Sequence, residues 1–489
     1  MMSLDKIYRE PLVLLTDLYQ LTMAYAYWKE GLSEKEAVFH LFFSKNPFNG
    51  GYTIACGLRH ACSYLDKFKF DEDSLSYLME LRGSDGDRLF SKDFLAYLRE
   101  MEFSCSVKAL PEGTVAFPQE PLVRVEGPLI QCQLLETPLL NIINFQSLIA
   151  TKAARICEIA KSEPVLEFGL RRAQGIDGAL AASRAAYIGG AAATSNLLAG
   201  KLFKIPVKGT HAHSWVMCFD DELNAFRAYS EAMPNNSLFL VDTYDTIRGV
   251  KNAIKVGKEL RTKGYEFLGI RLDSGDLAYL SKEARRLLDE AGFPDASIVA
   301  SNDLDEEIIA SLKRQGAKID VWGVGTKLAT AYDQPALGGV YKLAALRSPN
   351  EAWEAKIKLS EQSIKVSTPW PQQIRRFKST EYLGDAIFRD DQKAPTDLTI
   401  VDPLDPMRRK RFDPSLRYED LLLPIYEEGD KVYEAPETEE MRSLAKEQLS
   451  KFHGGIKRLV NPHSYPVGLE KGLYDDKAKL ILKARGFEE

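Results

Sequence analysis

Cysteine is scarce in this chain, with six in 489 residues: Cys56, Cys62, Cys105, Cys132, Cys157 and Cys218. None stands in a C-x-x-C pair, and they are too sparse for a disulfide framework or a thiolate zinc site. Reduced thiols in a cytoplasmic chain are the expectation. No apolar run approaches the roughly 18 residues that a membrane span needs. The leading MMSLDKIYRE lacks the apolar stretch of a secretory signal. There is no excess of base either. Lys plus Arg is 64 and Asp plus Glu is 70, a formal net charge of −6, so no nucleic-acid footprint is expected. Two nucleotide-binding signatures are missing: the G-x-G-x-x-G of dinucleotide folds and the G-x-x-x-x-G-K-[ST] phosphate loop.

What is present is an ordinary globular composition, 45% hydrophobic and 27% charged, with length for two to three domains at roughly 100–200 residues each. Between about 137 and 345 the chain repeats a strand-then-helix rhythm. Thr137-Pro138 reads as an N-cap with Pro at the first helical position. Short apolar runs follow at VLEFG (165–169), KIPVKG (204–209), LFLVD (238–242), FLGIRLD (267–273), SIVAS (297–301) and DVWGVG (320–325). Near-continuous apolar strands alternating with helices indicate a parallel sheet covered by helices. Six or more βα units, with no dinucleotide fingerprint, predict an α/β fold built on an irregular parallel α/β barrel, whose functional residues sit at the carboxyl ends of the strands. The barrel is expected over 137–345. Residues 1–136 form a flanking N-terminal α/β domain, with VFHLFF (38–43) and 107–128 as strands. Residues 346–489 form a C-terminal region packing on both, with a polar helix from Glu439 to Phe452.

The strand ends carry a pattern. They read Glu167 to Arg172, Gly209 to Ser214, Asp242 to Asp245, Arg271 to Asp276, Ser301 to Asp303 and Gly323 to Lys327. Arginine recognises carboxylate and phosphate through paired hydrogen bonds. Glycine lets backbone N–H groups approach a phosphate, and a following helix start adds its dipole. Carboxylates can hold Mg²⁺ or sugar hydroxyls. Together these suit a small phosphorylated sugar and a metal. Each piece also has a plainer reading. Asp273-Ser274 or Asp245 is a helix cap, Gly323-Val324-Gly325 a turn, Arg171-Arg172 a surface pair, and Arg408-Arg409-Lys410-Arg411 a solvated loop. His211 and His213 form an H-x-H, which on a strand puts both rings on one face. The alternative that follows is a metal-dependent barrel hydrolase with both as ligands, although no histidine lies between His213 and His453.

Segments running nearly end to end carry a resemblance: LLTDLYQLTMAYAYW (14–28), EFGLRRAQG (167–175), KGTHAHSW (208–215), LVDTYDT (240–246), GIRLDSGDL (269–277), SNDLDE (301–306), GVGTKLATAYDQPALGGVYKL (323–343) and RLVNPHSYPVGL (458–469). TDLYQ, GTxAHS and RLDSGDL in that order are highly specific. The chain resembles the nicotinate phosphoribosyltransferases of the type II phosphoribosyltransferase group. The resemblance implies formation of nicotinate mononucleotide and pyrophosphate from nicotinate and phosphoribosyl pyrophosphate, coupled to hydrolysis of ATP and serving NAD biosynthesis. It implies Mg²⁺, and a homodimer with shared active sites. By motif, Tyr19 and Phe168 would sandwich the pyridine ring, Tyr19 coming from the partner subunit. Thr210 and Arg271 would meet the nicotinate carboxylate, and Arg171 would line the same pocket. Ser274, Gly275, Gly323, Gly325 and Thr326 would cradle phosphates, with Asp242 and Asp273 near the ribose hydroxyls and the metal. His213 would be the phosphorylated histidine. His211 receives no role.

Overall fold

A computed structural model describes residues 11–392 and 398–487. The leading decapeptide read above for a secretory signal lies outside the described residues. The described chain forms two compact units. The first takes the residues up to Ser147, Ala336–Pro436 and those from Glu447 onward. The second takes Leu148–Pro335 and Glu437–Lys446.

In the first unit the run EAVFHLFF makes the strand Glu36–Phe43, buried from Ala37 to Phe43. It pairs antiparallel with Gly339–Arg347 on one side and Val123–Pro128 on the other, inside a seven-stranded sheet. The C-terminal strand Leu423–Glu427 extends that sheet by pairing with Ser106–Ala109. A second, six-stranded sheet is made wholly from residues 372–470. It buries Arg376 against Asp385, 2.6 Å apart and both without solvent exposure. Tyr465 donates to the same carboxylate at 2.8 Å, so the buried charges are paired and hydrogen-bonded. The polar helix expected at Glu439–Phe452 is Thr438–Lys451.

The second unit holds a six-stranded sheet in which every pair is parallel. Its strands are β1 (Val165–Glu167), β2 (Ala193–Thr194), β3 (Leu238–Leu240), β4 (Gly269–Leu272), β5 (Ser297–Ala300) and β6 (Val321–Val324), in the spatial order β2-β1-β6-β5-β4-β3. Helices connect the strands, as parallel pairing requires. Carboxylates start several of them: Asp245, Asp276 and Asp305 each accept a backbone N–H from the first turn that follows. Asp245 is therefore a cap, as its plainer reading had it. Asp273-Ser274 is not, because Asp276 does that work.

Three expectations are corrected. KIPVKG is not a strand of the sheet. It contributes one parallel bridge, Thr194 to Val207, and the neighbour of β1 is the two-residue β2 instead. Among the described residues the ladder does not close into a barrel: β2 and β3 are its edges. The long helix Glu136–Ala160 begins one residue before Thr137, whose hydroxyl donates to Asp17 Oδ2 at 2.8 Å rather than capping. All six cysteines are free thiols. Among the described residues no helix is long and apolar enough to cross a membrane.

Candidate active site

The carboxyl ends of the six strands share one rim, and Arg271 is its centre. Arg271 lies on β4, with Leu240 of β3 and Val299 of β5 as its register partners. Three of its N–H groups are taken. Nε donates to Ser301 Oγ at 2.8 Å, Nη1 to Thr210 Oγ1 at 3.0 Å and Nη2 to Asp273 Oδ1 at 2.9 Å. Ser301 also donates to Asp273 Oδ1. A guanidinium has five N–H donors in a planar fork, so one remains on each Nη. The side chain is thus tethered by three neighbours, with one N–H on each Nη in reserve.

The Arg271 guanidinium carbon stands 5.4 Å from the centre of the Phe168 ring. Phe168 follows β1, and a buried carboxylate sets the turn that carries it. Glu167, 1% exposed, accepts from Ser183 Oγ at 2.8 Å, Thr194 Oγ1 at 2.6 Å and the Gly169 N–H. Gly323 on β6 lies against the ring: a Cβ there would come within 2.8 Å of Phe168 Cδ2. The glycine is needed for close approach. Gly323→Ala is expected to tilt the ring and raise the KM for a ring-stacked substrate about threefold, with the thermal midpoint little changed. Steady-state kinetics beside a melting curve check it.

On the opposite side of Arg271, Asp242 Oδ2 accepts from the Asp273 N–H at 2.9 Å and from Ser274 Oγ at 2.5 Å. Asp242 Oδ1 is buried and, among the described residues, has no partner. Ser274 and Gly275 are exposed, and Gly275 takes φ +79°, a conformation that suits glycine. After β6, Gly325 leads into the short helix Thr326–Ala329. There Lys327 is paired with Asp305, whose hydrogen bond holds the ammonium pKa above its usual value.

The two histidines part company. His213 opens the helix His213–Met217, with its side chain 40% exposed. Its Nδ1 lies 3.1 Å from Thr243 Oγ1 and its Nε2 3.8 Å from Asp273 Oδ2. His211 is buried. Its Nε2 accepts the Leu240 N–H at 3.2 Å, and its Nδ1 lies 3.3 Å from Ala212 O. Burial pushes its pKa below the ordinary value, and Arg271 and His213 act in the same direction. A shared metal ion would need both rings to turn lone pairs to one point, and His211 spends its own on a backbone amide. Among the described residues no group of three or more His, Cys, Asp or Glu is placed to hold a metal. The hydrolase alternative is not the arrangement found.

Of the other expected residues, Arg171 is exposed on the turn Leu170–Arg172, with no ion pair among the described residues. Tyr19 belongs to the first unit, half exposed on the helix Leu18–Lys29. Glu167, Thr243 and Ser301 were visible in the strand-end pattern. Their roles as holders of Phe168, His213 and Arg271 emerge only from the contacts.

A parallel sheet with a polar rim at its carboxyl ends defines an α/β enzyme that binds its ligand above the strand ends. Comparison with known proteins narrows the class. Family models match in series: the nicotinate phosphoribosyltransferase N-terminal domain at 14–144, the nicotinate phosphoribosyltransferase family at 164–376 and the nicotinate phosphoribosyltransferase C-terminal domain at 372–477. Nicotinate phosphoribosyltransferase of Bacillus subtilis (strain 168) is 47% identical, with 98% of each chain covered. That of Homo sapiens is 35% identical over 94% of this chain and 95% of its own. A crystal structure of human nicotinic acid phosphoribosyltransferase superposes with a TM-score of 0.83 at 34% identity, covering 95% of this chain and 99% of that one. The chain belongs to the nicotinate phosphoribosyltransferase family.

Proposed function

We propose that the chain joins nicotinate to phosphoribosyl pyrophosphate, forming nicotinate mononucleotide and pyrophosphate for NAD biosynthesis in the cytoplasm, with ATP hydrolysed as co-substrate. The observation that carries this reading is Arg271: tethered by three neighbours, it keeps one N–H on each Nη. That fork matches a carboxylate bidentately. Thr210 completes this contact, Phe168 stacks on the pyridine ring and Arg171 supplies further positive charge at the pocket edge. Ser274, Gly275, Gly323, Gly325 and Thr326 offer hydroxyls and close backbone to the phosphates.

The pyridine nitrogen is already a nucleophile, so no general base is required. Bond breaking leaves a cationic ribose and a diphosphate, and the chain's task is charge stabilisation and positioning. Asp242, with its buried Oδ1 unpartnered, and Asp273 fit the protein side of a Mg²⁺ site whose other ligands come from the diphosphate. When bound, Mg²⁺ would neutralise the leaving group. We read the open sheet, with segment 206–211 beside β2, as an irregular barrel. The three sequence regions at 1–136, 137–345 and 346–489 then supply the flanking domain, the catalytic core and the C-terminal extension.

The direct test is pyrophosphate release that requires nicotinate and phosphoribosyl pyrophosphate together. Release from either alone, or none from both, overturns the reading. Shared sites in a homodimer have their own test. If Tyr19 reaches a neighbour's pocket, mixing Tyr19→Ala with Arg271→Ala protomers restores one complete site per hybrid dimer. Activity above that of either parent is expected, and verified hybrids without it would show that each site is built from one chain.

A further inference from the structure

Segment 206–211 lies between the two edges of the parallel sheet. Toward β2 it is held by backbone: Thr194 N–H donates to Pro206 O at 3.0 Å, and Lys208 N–H donates to Thr194 O at 3.0 Å. Toward β3, among the described residues, no backbone pair joins it. Directly after β3 the Val241 N–H turns inward to Arg271 O at 3.2 Å. Successive amides of a strand point in opposite directions, so the Leu240 N–H faces the free edge. It is buried there, and a buried amide without a partner is costly. Its acceptor is His211 Nε2, 3.2 Å away. Because Nε2 accepts, the ring proton sits on Nδ1, within 3.3 Å of Ala212 O. Tyr229, Phe226 and Phe239 enclose the ring, with centroids 4.9, 6.0 and 6.4 Å away.

We propose that His211 is a positioning residue: its imidazole stands in for the missing strand pairing and fixes segment 206–211 to the edge of β3. The bond lands on Leu240, the register partner of Arg271. The residue before His211 is Thr210, bonded to Arg271, and two residues after it is His213, beside Thr243. Fixing this one amide therefore sets the spacing between the carboxylate-binding pair and the phosphate-accepting ring. The inference rests on the function proposed above for its kinetic consequences, but its structural core does not.

Two variants separate the acceptor from the ring. His211→Phe keeps an aromatic ring among its three neighbours and removes the acceptor. His211→Gln removes the ring but places Oε1 near the position of Nε2. Hydrogen exchange in the peptide holding Leu240 is measured on full-length protein, beside KM for nicotinate, kcat and the thermal midpoint. The wild-type requirement for both substrates is established first, so failure of the function is seen independently of the seam. The expected result for His211→Phe is faster exchange at Leu240 and a KM raised about fivefold to tenfold with a smaller change in kcat. His211→Gln is expected to restore slow exchange and a KM within about twofold of wild type. Unchanged exchange and KM in His211→Phe would overturn the proposal. So would a folded His211→Gln as impaired as the Phe variant, since the ring rather than the acceptor would then matter. If His211→Phe fails to fold, exchange and KM in His211→Gln decide alone.

Discussion

Replacing Arg271 with alanine is expected to lower kcat/KM for nicotinate at least tenfold, about 1.4 kcal/mol or more of transition-state binding. The guanidinium contributes in two ways. On the proposed reading, its two remaining N–H groups supply charge-assisted contacts to the nicotinate carboxylate, contacts that a neutral amide cannot return. Its three occupied N–H groups hold Thr210, Ser301 and Asp273 in one arrangement. Removing it leaves Asp273 beside Asp242 without its cation, so the phosphate side of the rim suffers as well. The same contacts predict discrimination, because a site built for a carboxylate rejects the analogue that lacks one. Nicotinamide should be a poor substrate for the wild-type protein, and Arg271→Ala should narrow the gap between acid and amide. Steady-state kinetics with both compounds check this. Equal use of the two by wild type would remove Arg271 from the carboxylate site.

His213→Ala is expected to abolish nicotinate-dependent ATP hydrolysis while leaving slow, ATP-independent transfer. ATP is not consumed by the bond change itself, so its energy must act through the protein. On the proposed reading His213 receives that energy; it is half-exposed, with Nδ1 3.1 Å from the Thr243 hydroxyl. With the proton on Nδ1, the Nε2 lone pair is available to take a phosphoryl group from ATP, releasing ADP. The phosphorylated ring brings roughly two negative charges to the rim. Those charges attract arginine and backbone donors and can order a loop around phosphoribosyl pyrophosphate. On the same reading, water would then cleave the N–P bond, returning phosphate and free His213. Incubation with γ-labelled ATP followed by peptide mapping should place acid-labile label on His213. Label on another residue, or full ATP stimulation in His213→Ala, would refute the assignment.

The sequence by itself determined the strand-and-helix rhythm of the second unit, because burial on both faces demands near-continuous apolar runs. Five of the six strands stand where such runs occur. It also marked the strand ends, since polar residues cannot extend a buried strand. The two-residue β2 escaped because Ala193 and Thr194 make no apolar run. The tertiary structure alone decided how the rim works. Arg271 and Ser301 are 30 residues apart and meet through the parallel register of β4 and β5, whereas Thr210, 61 residues from Arg271, is brought in by a segment outside the sheet. It likewise decided the fates of two histidines in one short motif. The H-x-H spacing treats them as equals, although the family resemblance had singled out His213, but segment 206–211 is not a paired strand with alternating faces. Once the chain leaves strand geometry, His211 turns inward to a bare amide and His213 starts a helix at the rim.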